Sequence, residues 1–277
     1  MLIAEHSRQK RPDTAESHAQ AVRRVINSIR ERLDESISLE KMAAVAYMSR
    51  FHFNRTFREV TGLPPRRFLS ALRVQAAARM LLDTDHSVTE ICLDVGYNSL
   101  GTFIRRFAGV LGVSPMRLRK MRQSAAGNLL QHGAANTQPA PAKSNPSITG
   151  VIRAPASFSG PIFIGLFATP MPKGVPLACA ILYSPGSFQI ARVPRGHYYL
   201  FAVGLPWPDS VSDFFRHDFA LRGGGEQVCV DKDVVECEEF CLRPAMPTDP
   251  PILVNLPVLL SKAHSGRKVA ETKRLSL

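Results

Sequence analysis

Ser49-Arg-Phe-His-Phe-Asn-Arg-Thr-Phe57, continuing through Gly62-Leu-Pro-Pro65 to Phe68, is answered further on by Ser99-Leu-Gly-Thr-Phe-Ile-Arg-Arg-Phe107, continuing through Gly112-Val-Ser-Pro115 to Leu118. Equivalent residues stand 50 positions apart at Ser49/Ser99, Phe53/Phe103, Arg55/Arg105, Phe57/Phe107, Val60/Val110, Gly62/Gly112 and Pro65/Pro115. Two copies fall short of the roughly three or more repeats that a solenoid needs; they suit a tandem pair of small helical modules. Ser49 and Ser99 have the chemistry of helix N-caps. Gly62 and Gly112 have that of the left-handed residue that closes a helix. Each copy therefore predicts one capped helix.

Working outward, Val22, Val25, Ile26, Ile29 and Leu33 form the i, i+3, i+4, i+7 stripe of a core-facing helix that starts near Ala19. Ser38 can cap a short helix carrying Leu39, Met42, Ala43 and Val45, which Met48 interrupts. Helix, short turn, capped helix is the helix-turn-helix pattern. Between the copies, Pro64-Pro65 can open a helix with Phe68, Leu69, Leu72, Ala76 and Met80 on one face. Arg66, Arg67, Arg73 and Arg79 lie largely elsewhere on this spacer, which runs to about Leu82. Ser87-Val-Thr-Glu90 is a capping box opening a short helix, Ile91 to Val95, before a turn at Gly96. Ser114-Pro115 start a last basic helix through Lys120.

Charge divides unevenly along the 277 residues. Residues 19–123 hold 18 Lys and Arg against 9 Asp and Glu, a net of +9; residues 150–260 net −2, and residues 261–277 net +4. A basic segment coinciding with the duplication is the footprint of a polyanion-binding module, although a solvated basic face is the plainer alternative. No window approaches the roughly 18 consecutive apolar residues of a membrane span, and Met1 to Ala19 lacks the apolar core of a signal peptide, so a cytoplasmic location without membrane partners is expected. Cys92, Cys179, Cys229, Cys237 and Cys241 are odd in number and scattered, which fits free thiols better than a disulfide framework.

The expected fold is multidomain α plus β. Residues 1–18 read as a disordered lead-in, 19–123 as an all-α tandem helix-turn-helix domain, and 124–149, rich in Ala, Asn, Gln, Pro and Ser, as a flexible linker. Residues 150–260 read as an all-β sandwich for sensing or interaction, and 261–277 as a basic disordered tail. The strand candidates are apolar runs bounded by Gly and Pro, at Ile162–Ala168, Ala178–Tyr183, Phe188–Val193, Tyr198–Leu205, Val228–Val230 and Ile252–Leu256.

In the first reading helix, the face left once Phe53 and Phe57 enter the core holds Arg50, Phe51, Asn54, Arg55 and Arg58. Asn can pair bidentately with adenine, Arg with guanine, and Phe can touch a thymine methyl. The second offers Ser99, Leu100, Gly101, Thr102, Arg105 and Arg106; Leu100 and Gly101 bring few polar atoms, so this helix should specify less sequence. Arg66, Arg67, Arg119 and Lys120 are the expected phosphate contacts, with the amides that begin each reading helix. Two such helices on one stiff spacer should enter successive major grooves, about 34 Å apart, of double-stranded DNA.

The segment from about Ala19 to Gln123 resembles the DNA-binding domain of AraC/XylS-type transcription regulators. It shares the paired helix-turn-helices, the arginine-bearing spacer and the Gly-x-x-Pro ending of each reading helix. Ile91-Cys-Leu-Asp-Val-Gly-Tyr97, with Ser99, Phe103, Arg106-Phe107, Gly112 and Pro115, matches that family's signature. The resemblance implies base contacts at Phe51, Asn54, Arg55, Leu100, Gly101, Thr102 and Arg105. Such regulators usually carry this domain last, whereas here it comes first. Over about twenty residues, Ser184 to Val203 is similar to the strand-turn-strand of transthyretin-like (prealbumin-like) or carboxypeptidase-regulatory-like β-domains.

Cys229, Cys237 and Cys241, with His217 nearby, lack the spacing of a structural zinc site and read as buried strand cysteines. His197, after Arg195-Gly196, reads as a surface turn residue. The acidic run Asp231, Asp233, Glu236, Glu238 and Glu239 reads as a solvated edge. No phosphate cradle, nucleophile elbow or carboxylate pair is present, so no cofactor, metal or catalytic role is expected. The leading reading is a sequence-specific transcription regulator, activator or repressor left open, with the β-domain as sensor or protein contact. Its rivals are an architectural DNA-binding protein that self-associates through the β-domain, and an enzyme or metal sensor tethered to DNA. RNA polymerase and a small-molecule effector are left open as partners, as are monomer and homodimer.

Overall fold

The computed structural model describes residues 12–124, 146–207, 211–215, 220–237 and 239–254. The helical half runs α1 (Pro12–Glu31), α2 (Leu39–Val45), α3 (Arg50–Thr61), α4 (Pro65–Asp83), α5 (Val88–Asp94), α6 (Leu100–Leu111) and α7 (Pro115–Ser124). Helix α1 begins seven residues ahead of Ala19, within the expected lead-in, whose residues 1–11 lie outside the described residues. An apolar stripe marks only the part of a helix that faces a core. The exposed first turns of α1 are held by side-chain pairs, with Glu16 accepting from Gln20 at 3.3 Å and from Arg23 at 2.7 Å.

Helix α4 belongs to two cores. Its amino-terminal half contributes Phe68, Leu69 and Leu72 to a cluster with Val22, Ile26, Ile29, Met42, Phe53 and Phe57. Its carboxy-terminal half contributes Val74, Ala77, Ala78, Leu81 and Leu82 to a second cluster with Ile91, Val95, Phe103, Phe107 and Leu118. A helix buried on several sides has no single apolar stripe. The two modules are thus threaded on one rod.

The strand-rich half contains β1 (Ser147–Arg153), β2 (Ile162–Phe167), β3 (Lys173–Gly174), β4 (Ala178–Leu182), β5 (Gly186–Ala191), β6 (Gly196–Gly204), β7 (Leu221–Val230), β8 (Val234–Glu236), β9 (Phe240–Cys241), β10 (Arg243–Pro244) and β11 (Leu253–Val254). One sheet has the order β10-β7-β6-β2-β4, entirely antiparallel. In the other, β1 pairs antiparallel with β5 and parallel with β8 and β9. Ile148, Ile152, Phe188 and Ile190 of the second sheet pack with Ile162, Ile164, Leu166 and Leu200 of the first. The strand-turn-strand expected over Ser184–Val203 is β5 and β6, but these do not pair: the turn, with Arg192 at φ 60, carries the chain from one sheet to the other. Strand β1 takes the last residues of the expected linker; residues 125–145 and the tail 261–277 lie outside the described residues, as does His217.

Every residue of β2 is buried, because the outer face of the larger sheet is covered as well. Phe163, Phe167, Val203 and Leu205, with Phe214 and Phe215 from a 3-10 turn (Val211–Phe215) and with Ile252, Leu253 and Val254, share one cluster with Phe107, Leu111, Val113 and Leu118. The β-layer and the second helix-turn-helix module therefore have a common core. Strands β3 and β11, paired in parallel, lie against α6, and the 3-10 turn lies against α4 and α7.

None of the three cysteines expected to be buried in strands is buried. Cys229 and Cys241 are exposed and Cys237 is half-buried, its thiol pushed up by burial. The alternation of β7 and β9 turns Cys229 and Cys241 to solvent, and Cys237 lies just past the end of β8. Among the described residues no three His, Cys, Asp or Glu side chains gather as a metal-ligand group. The acidic run is part of the fold rather than a bare edge. Arg195 pairs with Asp233 at 3.2 Å and Arg153 with Glu239, while Val234–Glu236 form β8.

Candidate nucleic-acid interface

Helices α3 and α6 are built alike from matched residues. Ser49 Oγ accepts from the His52 N–H at 3.4 Å, and Ser99 Oγ accepts from the Thr102 N–H at 3.3 Å. Each satisfies one of the amides a helix start leaves without a partner. Gly62 and Gly112 close the helices at φ 74 and φ 71, their N–H groups donating to the Arg58 and Ala108 carbonyls. Both helices have 12 residues, and both bury a pair of phenylalanines one turn apart. Phe53 and Phe57 have ring centroids 5.4 Å apart; Phe103 and Phe107 are at 5.6 Å. Burying these rings fixes which face looks outward.

That face holds the predicted readers. On α3, Arg50, Asn54, Arg55 and Arg58 are exposed and Phe51 is 80% exposed, an unusual state for a ring of that size on a folded surface. On α6, Ser99, Gly101, Thr102 and Arg105 are exposed and Leu100 is 38% exposed. A Cβ added at Gly101 would meet nothing within 4 Å, so this glycine borders open space. Arg105 and Arg106 are both exposed, next to one another.

Local pairs orient some of these groups. The Arg50 guanidinium donates to Glu40 at 3.1 Å and lies 5.1 Å from the centre of the Phe51 ring. The Glu40 carboxyl is held below its ordinary value by its own backbone N–H and then by Arg50. Arg55 is 3.9 Å from Glu59, an exposed i,i+4 pair of the kind that contributes little. Neither pair hides its arginine.

The expected phosphate contacts divide. Arg66 and Arg67 are exposed in the first turn of α4, and Lys120 is exposed on α7. Arg119 departs from the expectation. It is half-buried, its Nη2 donates to the His86 carbonyl, and its Nε is enclosed without a partner, so it braces the α4–α5 connection. Residue type alone does not distinguish an arginine that caps a loop from one that faces solvent. Arg117 was missed. It is exposed one helical turn from Lys120, and its N–H donates to Ser114 Oγ at 3.3 Å.

A helix-turn-helix domain family matches residues 42–121. The MmsAB operon regulatory protein of Pseudomonas aeruginosa is 34% identical over 100 residues, covering 36% of this chain and 33% of that protein. The chain thus spans about a third of the length of that relative. The TetD protein of transposon Tn10 from Escherichia coli is 30% identical over 128 residues, covering 43% of this chain and 93% of TetD. Among solved structures, the DNA-binding domain of AdpA in complex with a target DNA matches 38% of this chain and 94% of that domain, at 36% identity and a TM-score of 0.37. With 93% of one relative matched at 30% identity, and the helix-turn-helix family matched over residues 42–121, the chain belongs to the AraC/XylS family of helix-turn-helix transcription regulators.

Proposed function

We propose that this regulator reads DNA sequence by laying α3 and α6 into two successive major grooves, with α4 as the spacer. The observation that carries the reading is the repeated geometry: the same cap, the same buried phenylalanine pair and the same outward arginine, Arg55 or Arg105, on both helices. Asn54 suits adenine, Arg55 and Arg105 suit guanine, and the exposed Phe51 ring suits a thymine methyl. Arg50 and Arg58 flank these contacts, and Ser99, Leu100, Gly101 and Thr102 bring the start of α6 close to the groove wall. Arg66, Arg67 and Lys120 hold phosphates and set register. Regulation enters through the strand-rich half, which shares a core with the module that carries α6.

Selection of bound sites from randomised duplex DNA by the full chain tests this. A motif of two blocks about one helical turn apart is expected, and retention without a motif overturns it in favour of an architectural role. Arg55→Ala should weaken the selected site by about 1–3 kcal/mol and relax one base position, whereas Lys120→Ala should weaken all sequences alike. Equal effects of both on selected and random DNA would refute the base-reading assignment.

A further inference from the structure

The rod α4 sets how far apart the two modules lie, but something else must set their rotation about it. One side chain of α4 spans the junction. The Arg73 Nε donates to the Leu33 carbonyl at 3.0 Å and its Nη2 to the Glu35 carbonyl at 2.7 Å, both just past the end of α1. Its Nη1 donates to the Gly96 carbonyl at 2.8 Å, in the turn of the second module. The same guanidinium lies 5.7 Å from the centre of the Tyr97 ring, and the Tyr97 hydroxyl is 3.3 Å from Ser70 Oγ, also on α4. The planar fork of donors matches three carbonyls at once, which a lysine ammonium on a flexible stem does not.

We infer that Arg73 is a positioning residue that fixes the angle between the two reading helices, by tying the end of α1 to the turn of the second module across the spacer. A second, independent observation points the same way. Gly96 has φ 82, and a Cβ there would lie 2.4 Å from the Leu33 carbonyl oxygen and 2.5 Å from Arg73 Nη2. The backbones of the two modules approach at this point as closely as a glycine permits. The first turn has no such restriction: at the corresponding place, next after the helix C-cap, stands Tyr47, also left-handed at φ 55 but 89% exposed. The copies differ where only one of them meets the other module.

The inference rests on the two-groove reading, and its test separates the two. Each added base pair shifts the second block by about 3.4 Å and rotates it by about 35°. Affinity is measured for the full chain on sites whose blocks are set closer or further apart by single base pairs, and on each block alone. Wild type should prefer one spacing by about tenfold or more over its neighbours, as expected when one of two base-reading contacts worth about 1–3 kcal/mol is lost. Arg73→Gln should keep its affinity for a single block within about twofold while its preference among spacings shrinks to about threefold, and Arg73→Lys should fall between. An unchanged spacing profile in Arg73→Gln overturns the assignment, as does a parallel loss of single-block binding. If Arg73→Gln does not fold, Arg73→Lys is judged by the same two criteria. A wild-type profile that is already flat refutes the two-groove reading itself, before any variant is made.

Discussion

Truncating one ring should reveal whether the strand-rich half and the second helix-turn-helix module unfold as one body. Phe214 is 1% exposed, lies edge-on to Phe163 at 6.3 Å, and belongs to the 3-10 turn that packs on α4 and α7. Phe214→Ala removes a fully buried ring in a site walled by two different layers, which limits collapse around the void. The expected loss is about 3–5 kcal/mol, toward the upper end because the aromatic contact is lost too. At a urea dependence of about 3 kcal/mol per molar, this lowers the unfolding midpoint by about 1 M or more. Two probes report separately. Circular dichroism at 222 nm follows the helices, and the chain's single tryptophan, Trp207, stacked on Tyr183 at 6.2 Å, follows the sheets. A common core requires both midpoints to fall together in Phe214→Ala. If the tryptophan midpoint drops while the helical transition stays in place, the two halves are merely adjacent and the proposed route of regulation fails.

Other expectations are local. Tyr47→Gly relieves a left-handed backbone that costs an L-residue about 1–2 kcal/mol, against about 0.5–1 kcal/mol of added chain entropy, so the net gain is between about 0 and 1.5 kcal/mol. A lower thermal midpoint would mean that the Arg24 guanidinium, 6.0 Å from the centre of the Tyr47 ring, outweighs the strain. Burial alone would push the Asp249 carboxyl up, but Arg243, at 2.9 Å to each oxygen, and the Met246 N–H at 2.7 Å hold it below its ordinary value. A carboxyl depressed in the folded state contributes stability that is present above the unfolded value, about 3.9, and is lost as pH falls through the folded one. Thermal midpoints of wild type should therefore converge with those of Asp249→Asn on acidification below about pH 4; a gap unchanged down to about pH 2 would refute the pairing.

Much of the helical half was legible because its signals are local. Caps such as Ser49 and Ser99, the Ser87–Glu90 box and the glycines at 62 and 112 act within one turn of the residues they organise. The copies also agree with one another, which multiplies each signal. The strand-rich half was legible where strands are continuous and apolar, as in β2 and β6, and illegible where pairing overrides composition. Strand β7 runs through Gly223-Gly224-Gly225, which reads as a break. The register shift at Leu200/Phe201 explains it, since a Cβ at Gly224 would lie 2.3 Å from the Leu200 carbonyl oxygen. Strand β1 was lost in the linker because Ser147, Thr149 and Gly150 have little apolar character of their own, yet β1 has strands on both sides. In the candidate site, residue type identified the outward faces of α3 and α6. It did not separate Arg119, which braces a loop, from Lys120 beside it, nor mark Arg73 as the junction, because both depend on carbonyls distant in sequence.

The common core has a consequence for synthesis. The apolar faces of α4, α6 and α7 are complete once Ser124 has left the ribosome, but part of what covers them, Leu253 and Val254, follows about 130 residues later. At roughly 5–20 residues per second, that is an interval of about 7–26 s. For that time the nascent helical domain displays Leu81, Phe107, Leu111 and Leu118 with only part of their eventual cover. A chaperone that binds exposed apolar helices should engage this chain during that interval, and release it as β11 docks.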